Sequence, residues 1–270
     1  MRRPGSPTSP PSDSLPAGDV LARLHPAVRD WFVEQFVEPT EVQLRGWDTI
    51  SRGDHTLLGA PTGSGKTLAA FLYSLSELTR QPLPDREHRL RVVYVSPLRA
   101  LNYDIERNLV APLTGIMRTA GRLGLEVPTI VTGVRTGDTS QSERRKQLKR
   151  GVDILITTPE SLYVMLTTGA RELFAGVQTI IVDEIHALAS SKRGTHLALT
   201  LERLEEVAEG PIQRHRPVSH PASDRTGRCL SWRRRSRRVD HRGAQPETVR
   251  RARLCAGGRH DGHQSGAGPG

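Results

Sequence analysis

His55-Thr56-Leu57-Leu58-Gly59-Ala60-Pro61-Thr62-Gly63-Ser64-Gly65-Lys66-Thr67-Leu68-Ala69-Ala70-Phe71 is the stretch that decides the fold. A short apolar run leads into a glycine turn, and an apolar helical pattern follows at once, which predicts a strand, a tight loop and a helix in that order. Gly63 and Gly65 let the backbone curl until several N–H groups point inward, with Thr62 and Ser64 completing the loop. The helix start adds the positive end of its dipole, Lys66 places a cation against outer phosphates, and the Thr67 hydroxyl suits magnesium. Ala60 stands where the general pattern has glycine, a departure that costs little unless that bend needs positive φ.

On either side of this loop, apolar β-branched segments alternate with helical patterns. Strands are expected at residues 55–60, 91–96, 127–133, 153–157 and 177–183, and helices at 66–79, 99–109, 140–149, 159–166 and 194–208. Near-continuous apolar strands separated by helices predict an α/β domain with a mainly parallel sheet covered on both faces, and ligands beyond the carboxyl ends of the strands. Leu197, Leu201, Leu204 and Val207 recur three or four apart and are read as core.

The strand pattern Val177-Gln178-Thr179-Ile180-Ile181-Val182 ends in Asp183-Glu184-Ile185-His186, at the same edge as the phosphate loop. Asp183 is placed to hold magnesium, partly through water, and Glu184 to orient and deprotonate a water attacking a γ-phosphate. His186 either couples this site to a neighbouring domain or caps the turn.

Composition divides the chain. Of its 270 residues, 36% are hydrophobic and 25% charged, enough for a real core. The formal charge of +10 lies wholly in the last sixty residues, which hold 14 Arg and no Lys against 4 acids, while residues 1–210 are balanced at 25 against 25. The N-terminus lacks the apolar region of a secretory signal, and no run approaches the ~20 apolar residues of a membrane helix. A cytoplasmic protein without membrane contact is expected. Cys229 and Cys255 form neither a zinc knuckle nor a C-x-x-C pair, so no metal cluster is expected.

With these motifs in order, the sequence resembles superfamily 2 helicases of the DEAD/DEAH class, and more narrowly the large helicase-related (Lhr) family of ATP-dependent DNA helicases. Glu38-Pro39-Thr40-Glu41-Val42-Gln43 resembles the glutamine motif, in which the Gln43 amide reads the adenine edge and Thr40 orients the phosphate loop; Trp31 or Phe36 packs on the base or is simply core. Ser96-Pro97-Leu98-Arg99-Ala100-Leu101-Asn102, Thr136-Gly137-Asp138 and Thr157-Thr158-Pro159-Glu160-Ser161-Leu162 resemble strand-contacting motifs, with Pro97, Arg99, Thr136, Gly137, Thr158, Pro159 and Glu160 as the contacts. Such loops grip a sugar-phosphate backbone without reading bases. The resemblance implies a RecA-like P-loop NTPase domain over residues 18–214, ATP and Mg2+ as cofactors, Lys66 and Glu184 as catalytic residues, and single-stranded or partly duplex DNA as partner, with RNA as the alternative. A remodelling ATPase and a nonenzymatic basic nucleic-acid-binding module are the competing classes.

The resemblance stops near residue 214. The family next has a strand ending in Ser-Ala-Thr and a second motor domain with arginine fingers, without which unwinding by this chain is expected to be negligible. Instead the chain reads His215-Arg216-Pro217-Val218-Ser219-His220-Pro221, whose codons, shifted forward one base, permit Ile-Gly-Leu-Ser-Ala-Thr. Residues 1–17 are expected to be disordered and residues 215–270 to be a disordered Arg/Gly/Pro-rich tail, an out-of-frame translation; an evolved basic tail is the alternative. The sheet is expected to be left with a missing strand after Pro211.

Overall fold

The computed structural model describes residues 16–61, 63–96, 105–184, 188, 191–219, 228–232 and 253–254. Three short helices come first: α1 (Ala17–Leu21), α2 (Pro26–Gln35) and α3 (Glu41–Ile50). Strand β1 (His55–Ala60) then feeds α4 (Lys66–Arg80), followed by β2 (Val92–Val95) and a π-helical turn (Glu106–Val110) that runs into α5 (Ala111–Arg122). The chain continues through β3 (Thr132–Arg135), α6 (Gln141–Arg150), β4 (Ile154–Thr157), α7 (Pro159–Leu166), a 3-10 turn (Gly169–Phe174), β5 (Thr179–Val182) and α8 (Lys192–Val207). Strands β6 (Gln213–Ser219), β7 (Arg228–Trp232) and β8 (Arg253–Leu254) end it.

The strands form one sheet in the order β3-β4-β2-β5-β6-β1-β7-β8. Every pairing from β3 to β1 is parallel, and β7 and β8 add antiparallel partners beyond β1. The α/β, RecA-like fold expected from the sequence is thus present. One face of the sheet carries a core that includes Phe32, Trp47, Phe71, Leu72 and Ile116; the other carries Leu162, Phe174, Leu197, Leu201 and Leu204. Helices on both faces explain why β2, β4 and β5 are buried along nearly their whole length. At the amino edge, Asp153 accepts from buried Arg91 at 2.8 Å and from the Val131 N–H at 2.8 Å, tying β2, β3 and β4 together. That lock leaves the carboxyl edge free for loops.

Three differences from the sequence reading have physical causes. Strand β3 begins at Thr132; the Val131 carbonyl already accepts from the Asp153 and Ile154 N–H groups, but its own N–H goes to the Asp153 side chain and not to the ladder. Helices α2, α3 and α5 were not expected. Thr40 and Gln43, expected from the resemblance to form a ligand motif, make a capping box that starts α3. The third difference is a correction: no strand is missing after Pro211. Residues 213–219 form β6, parallel to β1 from Thr56↔His215 to Ala60↔Ser219 and to β5 at Thr179↔Gln213. The boundary placed at residue 214 therefore cuts a strand. Backbone ladders are available to any non-proline residue, so a poor β-pattern did not prevent pairing between two strands.

Candidate nucleotide and nucleic-acid site

The phosphate loop leaves β1 at Ala60 and enters α4 at Lys66. Gly63 and Gly65 both sit at φ 83°, the left-handed region that glycine enters without steric cost. Among described residues the one non-glycine with positive φ is Glu184, so Ala60 fits where the general pattern has glycine. Ser64 Oγ is buried without a hydrogen-bond partner. Lys66 is buried and its Nζ donates to the Pro61 carbonyl at 2.8 Å, turned onto its own loop. Burial pulls this ammonium below its ordinary pKa, against the upward pull of Asp183 and Glu184. A desolvated cation and an orphaned hydroxyl inside a curled, N–H-rich loop fit a polyphosphate.

Asp183 lies where β5 ends and is 5% exposed. One carboxylate oxygen accepts from Thr67 Oγ1 at 2.8 Å and from the Tyr94 hydroxyl at 3.0 Å; the other accepts from the Glu184 N–H at 2.8 Å. Burial raises the Asp183 pKa and these three donors lower it, with burial prevailing. Such a carboxylate, beside a threonine hydroxyl at a phosphate loop, is an oxygen donor set suited to a hard divalent cation. Glu184 adopts φ 51°, a conformation that costs a non-glycine residue about 1–2 kcal/mol. Tyr94 was missed by the sequence reading. Its signal was a polar-tipped ring in the otherwise aliphatic Val92-Val93-Tyr94-Val95.

A cavity of about 1110 Å³ joins the loop to the helices beside it, lined by Phe36, Gln43, Lys66, Tyr94, Arg118 and Asp183 among others. Thr40 Oγ1 donates to the Ser64 carbonyl at 3.0 Å, bracing the phosphate loop from α3. Gln43 is nearly buried, and its Oε1 is held by the Thr40 N–H at 2.8 Å. Its amide nitrogen lies against Gly65, where a Cβ would collide with it. Trp31 and Phe36 both line this cavity but differ in burial. Trp31 is core, its indole against Gly115, a position where any side chain would clash. Phe36 is 39% exposed, stacks on Phe32 at 4.8 Å, and presents a ring to the cavity.

With this geometry in place, residues 40–219 match the DEAD/DEAH box helicase family. The chain belongs to the DEAD/DEAH box helicase family. Within it, the resemblance is to the motor domain of Lhr helicases. "Lhr helicase/ probable uracil glycosylase" of Mycolicibacterium smegmatis is 52% identical over 196 residues, covering 73% of this chain and 13% of that protein. "Lhr helicase/uracil glycosylase" of Escherichia coli is 50% identical over 209 residues, covering 76% and 13%. The solved structure of Mycobacterium smegmatis helicase Lhr bound to ssDNA and AMP-PNP superposes with a TM-score of 0.70 at 50% identity, covering 75% of this chain and 25% of that one. This chain therefore spans 13% of the length of either curated relative.

The outer loops of this helicase-family domain gather along the same carboxyl edge. Thr136 and Gly137 form a turn after β3. Thr158 caps α7, its Oγ1 accepting from the Ser161 N–H at 3.3 Å, and Pro159 occupies the first turn. Glu160 is ion-paired with Arg193 at 2.7 Å, a tie to α8 that no local pattern announced. Thr62, Pro97, Arg99 and His186 lie outside the described residues. Among the described residues no helix is long and apolar enough to cross a membrane, and no group of three His, Cys, Asp or Glu could hold a metal ion.

Proposed function

We propose that this chain carries the nucleotide-hydrolysing motor domain of an ATP-dependent DNA helicase, binding Mg-ATP at the β1–α4 loop and the backbone of single-stranded DNA along the carboxyl edge of the sheet. The observation that carries it is the meeting of Thr67 with Asp183, which joins the phosphate loop to the acidic strand end. On this reading Gly63, Ser64 and Gly65 hold phosphate oxygens through backbone N–H groups, with Thr62 in the same loop, and Lys66 neutralises developing negative charge. Thr67 and Asp183 hold magnesium, and Glu184 orients and accepts a proton from the attacking water. Magnesium supplies charge neutralisation at the phosphates. Thr40 braces the loop, Gln43 reads the base edge with its amide nitrogen, and Phe36 covers the base. Thr136, Gly137, Thr158 and Pro159, with Pro97 and Arg99, grip the strand, and His186 couples the two sites. The likeness to an Lhr structure holding ssDNA and AMP-PNP supports DNA over RNA, and a cytoplasmic location suits this role.

The test is fluorescent-nucleotide binding and ATP turnover by the full chain, with Lys66→Ala and Glu184→Gln as variants. Lys66→Ala should lose nucleotide affinity; Glu184→Gln should keep affinity and lose turnover. Equal nucleotide binding by wild type and Lys66→Ala would sink the reading. Competition between DNA and RNA oligonucleotides of one sequence decides the strand type.

We also infer that residues from about 215 onward are an out-of-frame translation. The support is β6, a strand between two parallel neighbours that carries His215, Arg216 and Pro217. Positions 215 and 217 are buried, and the shifted frame reads isoleucine and leucine there. Proline is foreign to a central strand, since it cannot donate to the ladder. Sequencing the genomic DNA around codons 210–216 tests this, and absence of the shifted Ile-Gly-Leu-Ser-Ala-Thr reading overturns it.

A further inference from the structure

The turn after β3 has its carbonyls occupied from within. Arg144, one turn into α6, donates from Nε to the Thr139 carbonyl at 2.9 Å and from one Nη to the carbonyls of Thr136 at 3.3 Å and Gly137 at 3.1 Å. Thr139 Oγ1 accepts from the Thr136 N–H at 2.9 Å. Behind the turn, Gln147 Nε2 donates to the Val134 carbonyl at 2.9 Å and Thr157 Oγ1 to the Arg135 carbonyl at 2.7 Å. The N–H groups of Gly137 and Asp138 take no part in these bonds. A guanidinium whose nitrogens face three carbonyls of one turn fixes which side of that turn is negative. The acceptors are drawn toward α6, while Gly137 and Asp138 lie exposed with their N–H groups outside these bonds. The exposed Asp138 carboxylate disfavours an anion at the tip itself, leaving the Gly137 N–H and the Thr136 hydroxyl as the donors for one.

We propose that Arg144 is a positioning residue for strand binding: its guanidinium holds the Thr136–Thr139 turn with carbonyls inward, so that the turn offers hydrogen-bond donors to a phosphate of single-stranded nucleic acid. The proposal deepens the reading given above and rests on Thr136 and Gly137 touching the strand. It assigns to Arg144 a role through the turn and not a contact of its own. Lysine is not an equivalent, because one ammonium on a flexible stem cannot span three carbonyls as the planar fork does.

The experiment uses the full chain and a fluorescein-labelled oligodeoxythymidylate, with affinity followed by anisotropy over a range of salt. Melting temperature and fluorescent-nucleotide affinity are recorded for every variant. Arg144→Ala should weaken DNA binding about tenfold, the scale of one lost preorganised contact. The slope of log affinity against log salt should be unchanged, and nucleotide affinity unaltered. Arg144→Lys should stay with the alanine variant, and Thr139→Ala, which removes the other brace of the turn, should move in the same direction. A slope reduced by about 0.7 in Arg144→Ala would mean direct phosphate contact and overturn the proposal. So would rescue by lysine, unchanged DNA affinity, or parallel loss of melting temperature and nucleotide binding. Wild-type chain that binds nucleotide but no DNA overturns the strand-contact reading itself, a result distinct from wild-type binding that Arg144→Ala leaves intact.

Discussion

The hydroxyl of Thr67 donates to a carboxylate oxygen of Asp183 at 2.8 Å, across 116 positions of sequence. This bond sets the distance between the phosphate loop and the acidic strand end, and both residues belong to the same cation site in the proposed mechanism. Thr67→Ala and Asp183→Asn should each weaken magnesium-dependent nucleotide binding by about ten- to a hundredfold, the scale of a charge-assisted hydrogen bond or cation ligand. Binding in EDTA should change far less. Titrations with and without magnesium check this, and equal losses in both conditions would contradict the assignment.

Glu184 is the one non-glycine with positive φ among the described residues. Its φ of 51° is one that glycine adopts more readily. Strained non-glycine residues cluster at functional sites, which agrees with the role proposed for Glu184 at the attacking water. Glu184→Gln should retain nucleotide affinity and lose about 10²- to 10⁴-fold in turnover, the range of general-base removal. Glu184→Gly should lose the same turnover while melting no lower than wild type. A glycine variant that keeps turnover removes the proposed role.

Phe36 and Trp31 lie 6.0 Å apart, edge to face, yet they should respond oppositely to truncation. Phe36→Ala should raise the Kd for ATP by about tenfold, as a lost aromatic stack on a base does, with little change in melting. Trp31→Ala should cost about 3–5 kcal/mol of stability. Gly115→Ala should also destabilise the fold by driving a methyl group into the Trp31 indole, by about 1–3 kcal/mol. Thermal denaturation with nucleotide titration separates the two cases.

His215 is 1% exposed in the middle of β6. The ring lies close to the Ala70 backbone without completing a hydrogen bond at either nitrogen. Burial, with a smaller contribution from His55, holds its pKa down to about 3 from 6.5. Between these values the unfolded chain binds a proton that the folded chain refuses. Stability is therefore level above pH 6.5 and falls as pH drops from 6.5 toward 3, by up to ~1.4 kcal/mol per pH unit from this group. His215→Ile should remove that acid sensitivity and add about 1–3 kcal/mol at neutral pH by eliminating an unsatisfied buried group. Urea denaturation at pH 5 and pH 7.5 measures both. A variant no more stable than wild type at either pH would contradict the burial.

Local chemistry carried most of the strand-and-helix order. The β1–α4 loop was legible because Gly63 and Gly65 are needed for their own backbone angles, and α8 because its leucines recur at helical spacing. Helix α5 was less legible, since Ala111-Pro112-Leu113-Thr114-Gly115 mixes a proline and a glycine into its first turns. Its Gly115 is explained by the indole of Trp31, from another helix.

The sequence by itself determined the parallel α/β class, the phosphate loop and the acidic pair at a strand end, because each is written in neighbouring residues whose backbone angles, spacing and charge act locally. Only the tertiary structure decided that Tyr94 shares Asp183 with Thr67, that Phe36 stays exposed at the cavity while Trp31 is packed against Gly115, that Arg144 holds the Thr136–Thr139 turn, and that residues 213–219 pair between β1 and β5. Those facts depend on crossover and register, which bring together side chains as far as 116 positions apart. No local pattern encodes which of several buried or exposed groups will meet.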